Sequence, residues 1–260
     1  ADEVKKAGFQ VRSLIWDADR AANLPPDIDR VEGLLNDVSR LSLPLEEVEA
    51  LVAQVGLLKN VGNNPEVIDY ESLRNLLLAL EGRPVHVIVI TAAESYMNTN
   101  EISTTAYEQM RRAEMMVRCS GIPYTVVRSG KVTTGLTTCP RVAAVRLTDW
   151  QTTFGERAKA AYEDASERCQ ISARQVSAVI AGCILNEQAY GKSLELFGEA
   201  GPEQKLEEIV GAIEPDNMDA DALLSRNDTA VALSNFPPAV IDDIRQVRAQ
   251  FKQGQRHRTA

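Results

Sequence analysis

Histidine is scarce in these 260 residues: His86 lies inside an apolar run and His257 in a polar tail. That supports neither a Ser-His-Asp relay nor a histidine-built metal centre, which excludes most hydrolase and metalloenzyme chemistries. The four cysteines, Cys119, Cys139, Cys169 and Cys183, form no Cys-x-x-Cys pair, so reduced and mostly buried thiols are expected. Cations are outnumbered, 28 Lys+Arg against 37 Asp+Glu, giving a net charge of -9. Such a surface repels phosphate backbones and anionic lipid, which argues against nucleic-acid or membrane-surface binding. No apolar run reaches the roughly 20 residues needed to cross a bilayer. The stretch Ala1-Asp2-Glu3-Val4 lacks the basic and apolar regions of a signal peptide. A cleaved targeting sequence would leave no trace, so no compartment is assigned.

What is present is a core-forming composition, 44% hydrophobic and 25% charged, in which short apolar runs alternate with helical patterns. That alternation is the signature of βαβ units and a doubly wound, mostly parallel sheet. Strands are expected over 9–15, 30–33, 49–55, 85–90, 124–128, 141–147 and 193–197. The run Val85-His86-Val87-Ile88-Val89-Ile90 is nearly continuous in apolar character, as a central strand covered on both faces should be. Helices are expected over 18–23, 65–80, 104–119, 154–168, 172–185, 202–213 and 238–251. A short helical turn closed by Gly8 precedes the first strand, and a loop rich in Thr and Gly runs from 131 to 140. No repeat or linker divides the chain. The expectation is one α/β unit over 1–213 with a small helical C-terminal addition over 214–260.

The segment Glu114-Met-Met-Val-Arg-Cys-Ser120-Gly121-Ile122-Pro123-Tyr124-Thr125-Val126-Val127-Arg128-Ser129-Gly130 resembles the atypical short-chain dehydrogenase/reductase family, NmrA-like NAD(P)-binding Rossmann proteins included. Members carry a helix with a Glu, then Ser-Gly-x-x-Tyr-Thr-(Ile/Val)-x-Arg-Pro-Gly. Ala7-Gly8-Phe9-Gln10-Val11-Arg12, Val31-Glu32-Gly33, Val48-Glu49-Ala50-Leu51-Val52, Asp69-Tyr70 and Ile171-Ser172-Ala173-Arg174-Gln175-Val176-Ser177 agree in order. The resemblance implies a Rossmann-type fold over about residues 1–213. It also exposes a deficit, because the family opens with a strand and a Gly-x-x-Gly-x-x-Gly loop whose amides hold a pyrophosphate. Neither is found in this sequence, and the chain starts inside what would be the following helix. Three accounts stand: the strand is trimmed, a partner or precursor supplies it, or the fold repacks without it.

The resemblance implies cofactor-side roles at Trp16, Asp17, Val55, Gly56, Thr91, Arg128 and Gly130. Several of these depart from the pattern. Trp16 stands where NADPH-using relatives have an Arg for the 2′-phosphate; an indole makes no bidentate ion pair, though it can stack on adenine or simply pack. Asp17 is placed for a ribose hydroxyl or for solvent, and Leu34 replaces an adenine-side Asp. Val55-Gly56 keeps the family's passage under the ribose, and is also an ordinary turn. Hydride-transferring members use a Tyr acid with a Lys four residues on; those positions fall here on Ala106 and Met110. Tyr107 and Arg111 repeat the spacing one residue out of register, a rotation of about 100° that turns Tyr107 away from the cleft. Thr91 is placed either to polarise a carbonyl or to cap. Arg128 is placed for a ligand or for a carboxylate on a neighbouring helix, and Ser129 replaces the family's Pro. Thr91, Tyr107 and Arg111 are thus vestigial candidates, and no catalytic set is assigned.

These losses lead to the expectation of a non-catalytic or degenerate NAD(P)-fold protein, binding NADP(H) weakly or not at all. It would act with protein partners as a scaffold or assembly subunit. By family analogy the setting is a photosynthetic or respiratory complex in a chloroplast or another organelle. The alternative is an NAD(P)H-binding reductase or redox-sensing regulator whose glycine-rich loop precedes this sequence.

Overall fold

The computed structural model describes residues 1–15, 24–56, 70–93, 104–133, 141–146, 170–199, 202, 204–225 and 236–259. The strands are β1 (Arg12–Ile15), β2 (Asp29–Glu32), β3 (Ala50–Gln54), β4 (His86–Ala92), β5 (Tyr124–Ser129), β6 (Val132–Thr133), β7 (Arg141–Arg146), β8 (Ile171–Ser172) and β9 (Lys192–Glu199). Between them run α1 (Asp2–Lys6), α2 (Tyr70–Ala79), α3 (Thr104–Ser120), α4 (Ala173–Cys183), α5 (Leu206–Gly211), α6 (Ala220–Ser225) and α7 (Pro238–Thr259). A five-stranded sheet has the order β3-β4-β5-β9-β7, parallel except for β7, which runs antiparallel to β9. The parallel pair β1-β2 forms a separate sheet, and among the described residues no strand joins it to the five-stranded one. β6, at the start of the expected Thr/Gly loop, pairs in parallel with β8, two residues each, too short to show a strand pattern in sequence.

Every residue of β4 and β5 is buried. Their alternate side chains feed two cores, as the period-two pleat requires. Val87, Val89 and Val126 join Leu73, Leu77, Met115, Met116 and Ile244 on the face of α2, α3 and α7. Ile88, Ile90, Val127, Leu194 and Leu196 meet Val179, Ile180 and Ile209 on the face of α4 and α5. α4 starts where the sequence places it, because Ser172 and Gln175 form a reciprocal capping box. α7 runs eight residues beyond its last apolar contact, Phe251. Gly254 lets its backbone lie against Gly82, while Gln250 and Gln255 donate to the carbonyls of Leu78 and Gly82. The expected helices over 18–23 and 154–168 lie outside the described residues.

Candidate functional site

The C-terminal ends of β3, β4 and β5 bring Val55, Gly56, Thr91, Ala92, Arg128 and Gly130 toward one edge of the sheet, where open α/β folds bind ligands. Val55 is buried and donates its N–H to the Ile90 carbonyl at 2.8 Å. Gly130 donates to the Leu196 carbonyl at 2.9 Å. Trp16 and Asp17 lie outside the described residues.

Met110 and Glu114 of helix α3 pack against this edge. Gly56 adopts φ +77°, and a Cβ there would meet the Met110 side chain at 2.4 Å. Met110 is fully buried, and its Sδ takes the Ala92 N–H at 3.4 Å. A thioether therefore occupies the ground beside Gly56, at the position that the resemblance gives to a lysine. One helical turn on, Glu114 is also fully buried. Its Oε1 accepts from the Thr91 hydroxyl at 2.6 Å. Arg128 donates Nε and Nη2 to the same carboxylate at 3.0 Å and 2.7 Å, and Arg118 donates Nη1 at 3.1 Å. Arg111 Nη1 lies 2.7 Å from Oε1 as an ion pair. Burial alone would raise the carboxyl's pKa, but Arg111, Arg128 and Arg118 together hold it well below the usual range. Burial likewise opposes the charge on Arg128, yet Glu114 holds that guanidinium above its ordinary value.

Of the two sequence-based readings of Arg128, the carboxylate on a neighbouring helix is the contact observed. Thr91 has one hydroxyl hydrogen, and it goes to Glu114, so it is not offered to a substrate carbonyl. Tyr107 is 2% exposed, and the Arg111 guanidinium lies 4.5 Å over its ring centroid. The cation thus sits on the ring face as a cation–π pair. Ser129 is buried, its hydroxyl 3.4 Å from the Thr91 carbonyl oxygen.

A second part of the network escaped the sequence reading. Arg118 also donates Nε and Nη2 to Ser193 Oγ at 3.0 Å and 2.8 Å. Ser193 in turn donates to Asp216 Oδ2 at 2.6 Å, which the Tyr124 hydroxyl reaches at 2.9 Å. Arg118 was legible as a basic residue four positions after Glu114 on a helix. Asp216, in the patternless run Glu214-Pro215-Asp216-Asn217, gave no signal. Cys119 and Cys183 are buried free thiols, raised by burial to about 11 and about 12, which removes nucleophilic character near neutral pH. Cys139 and Cys169 lie outside the described residues. Among the described residues no cluster of His, Cys, Asp and Glu is arranged to hold a metal, and no helix is long and apolar enough to cross a membrane.

Residues 1–187 match the family described as NAD(P)H-binding. Solved structures share the fold at low identity. A putative NAD-dependent epimerase/dehydratase from Bacillus halodurans is 18% identical, with TM-score 0.59 over 80% of this chain and 90% of its own. The oxidoreductase ylbE from Lactococcus lactis is 12% identical, with TM-score 0.54 over 86% of this chain and 92% of its own. A short-chain dehydrogenase/reductase from Veillonella parvula DSM 2008, solved in complex with NADP, is 13% identical, with TM-score 0.55 over 77% and 89%. No curated protein matches the sequence.

Proposed function

We propose that this chain, which belongs to the NAD(P)H-binding family, is a degenerate member that does not transfer hydride and serves instead as a structural or assembly component for protein partners. The observation that carries this reading is Met110, which fills the space against Gly56. A lysine at this point of the helix would hold a ribose and acidify a tyrosine. Methionine does neither, and Ala106 supplies no phenol. Thr91 and Arg128 are committed to Glu114, so the two groups left to polarise a substrate already bond to the protein. The family's fold survives because those inward bonds tie β4, β5 and α3 together.

The test is calorimetric titration of NADPH and NADH into the 260-residue protein. No heat assignable to micromolar binding is expected. Saturable micromolar binding of either nucleotide would overturn the reading in favour of a reductase or redox-sensing regulator. Affinity capture from the source cell, scored for stoichiometric protein partners, tests the assembly role directly. A chain recovered alone under gentle conditions would count against it.

A further inference from the structure

The guanidinium of Arg111 is the loose end of the buried network. Its Nη2 donates to the Ala92 carbonyl at 2.8 Å, but Nε and Nη1 are buried and make no hydrogen bond. Glu114 does not repair this. Its two oxygens already accept from Thr91, Arg128 and Arg118, and the short Nη1 contact is an ion pair whose hydrogens are not aimed at oxygen. Arg118 has Asp216 as a second carboxylate at 3.4 Å, and Arg128 feels the charge of Glu195. Arg111 has Glu114 alone, shared three ways. Buried N–H groups without acceptors are costly, more so on a charged group, and native structures leave few of them unexplained.

We propose that Arg111 is the anchor of a binding site for a small oxyanion, a carboxylate or phosphate group, at the carboxyl edge of β4. Three features suit it to that task. The ring of Tyr107 lies under the guanidinium and fixes its plane. The Ala92 carbonyl pins one nitrogen, so the remaining donors keep a fixed direction. The side chain as a whole retains 15% of its surface, so the guanidinium lies close beneath the protein surface although Nε and Nη1 are themselves covered. An oxyanion there would take an open donor together with the adjoining Nη2 and supply the negative charge that Glu114 divides among three cations. Guanidinium suits two oxygens at once, which chloride cannot offer. This inference does not depend on dinucleotide binding, and each can fail alone.

The experiment uses the whole protein labelled with 15N-arginine and follows the Nε–H resonances by NMR. The Arg111 signal is assigned by its loss in Arg111→Lys. Sodium acetate and sodium phosphate are titrated against sodium chloride at matched ionic strength. The Arg111 resonance should shift saturably with acetate or phosphate and not with chloride, while those of Arg118 and Arg128 stay in place. Saturation by phosphate alone or by acetate alone would name the group recognised. In parallel, oxyanion at ten times its dissociation constant should raise Tm by about 4 °C. That gain should vanish in Arg111→Met. A linear shift no larger than chloride's, or an equal Tm gain in Arg111→Met, would overturn the proposal and leave the open donors to bound water.

Discussion

Replacing Glu114 by Gln is the sharpest probe of the interior. The substitution keeps shape and one carbonyl acceptor, but removes the charge that faces Arg111, Arg118 and Arg128. All of this happens at a position with no exposed surface. Removing one partner of a buried ion pair costs about 3–5 kcal/mol, because the other charge stays behind without compensation. Here Arg118 retains Asp216, so part of the loss is recovered there. Arg128 and Arg111 recover little, and the new amide points N–H groups at guanidinium N–H groups. The expected loss is therefore about 4 kcal/mol, or roughly 10 °C in Tm for a chain of this size.

Urea unfolding of both proteins at pH 7 checks the magnitude, with the m-value unchanged if the native state is otherwise intact. The pH dependence supplies a second check with a definite sign. Glu114 has its folded pKa depressed below the ordinary 4.5, so its stabilisation is fully present above that value. It is lost as pH falls toward the much lower folded value. The wild-type advantage over Glu114→Gln should stay constant from pH 7 to about pH 5.5 and narrow only below about 4.5. A difference under about 1 kcal/mol at pH 7, well short of the buried-pair range, would refute the view that this carboxylate holds α3 to the sheet.

Three further outcomes follow from the geometry. His86 is 1% exposed, its Nε2 donates to Thr125 Oγ1, which itself donates to the Ala189 carbonyl, and its Nδ1 has no partner. Burial lowers its pKa from 6.5 to about 4, so stability should fall by about 3 kcal/mol as pH drops between those values, and His86→Leu should flatten that slope in urea titrations. In Gly254→Ala the new Cβ would stand 2.8 Å from the Glu81 carbonyl oxygen and the Gly82 Cα. Overpacking against backbone costs about 1–3 kcal/mol and outweighs the gain of about 1 kcal/mol in helix propensity, so hydrogen exchange over 252–259 should accelerate. Ser172→Ala breaks the capping box and should cost about 1 kcal/mol in thermal unfolding, with Ser172→Asp recovering most of it.

The sequence was most legible where physics is local. β4 and β5 show themselves by unbroken β-branched runs, Val87 to Thr91 and Thr125 to Val127, because both faces of those strands are covered. The start of α4 shows by Ser172 and Gln175 three apart. The Arg128–Glu114 pair was half legible, since spacing within one segment put an acid on a helix and a base on the next strand. Met110 against Gly56 was not, for those residues are 54 positions apart and meet only through the packing of α3 over β3. α6 escaped because six residues give too short a run to show a period, and its first turn is set by an Asp219 side chain bonding the Ala222 N–H. α7 outran its apolar pattern because its last turns are held by glutamine-to-carbonyl bonds and a glycine contact, neither of which leaves a hydrophobic stripe.

The two halves of the cleft bear on one question, what the polar groups are for. A group kept for chemistry must leave at least one bond unmade until substrate arrives. Thr91 has spent its only hydrogen on Glu114, and Arg128 grips the same carboxylate with two nitrogens. Their arrangement is that of a brace between β4, β5 and α3. Arg111 belongs to the same cluster by distance but not by bonding, since most of its donors are unspent. A third guanidinium on a carboxylate whose oxygens already accept bonds adds charge to the brace but no hydrogen bond, at a desolvation cost. Its place beside Tyr107, at the edge where open α/β folds bind ligands, makes sense if something outside the chain completes it. Under the proposed function, the same cluster would brace the fold without hydride-transfer chemistry and give a small anion its place.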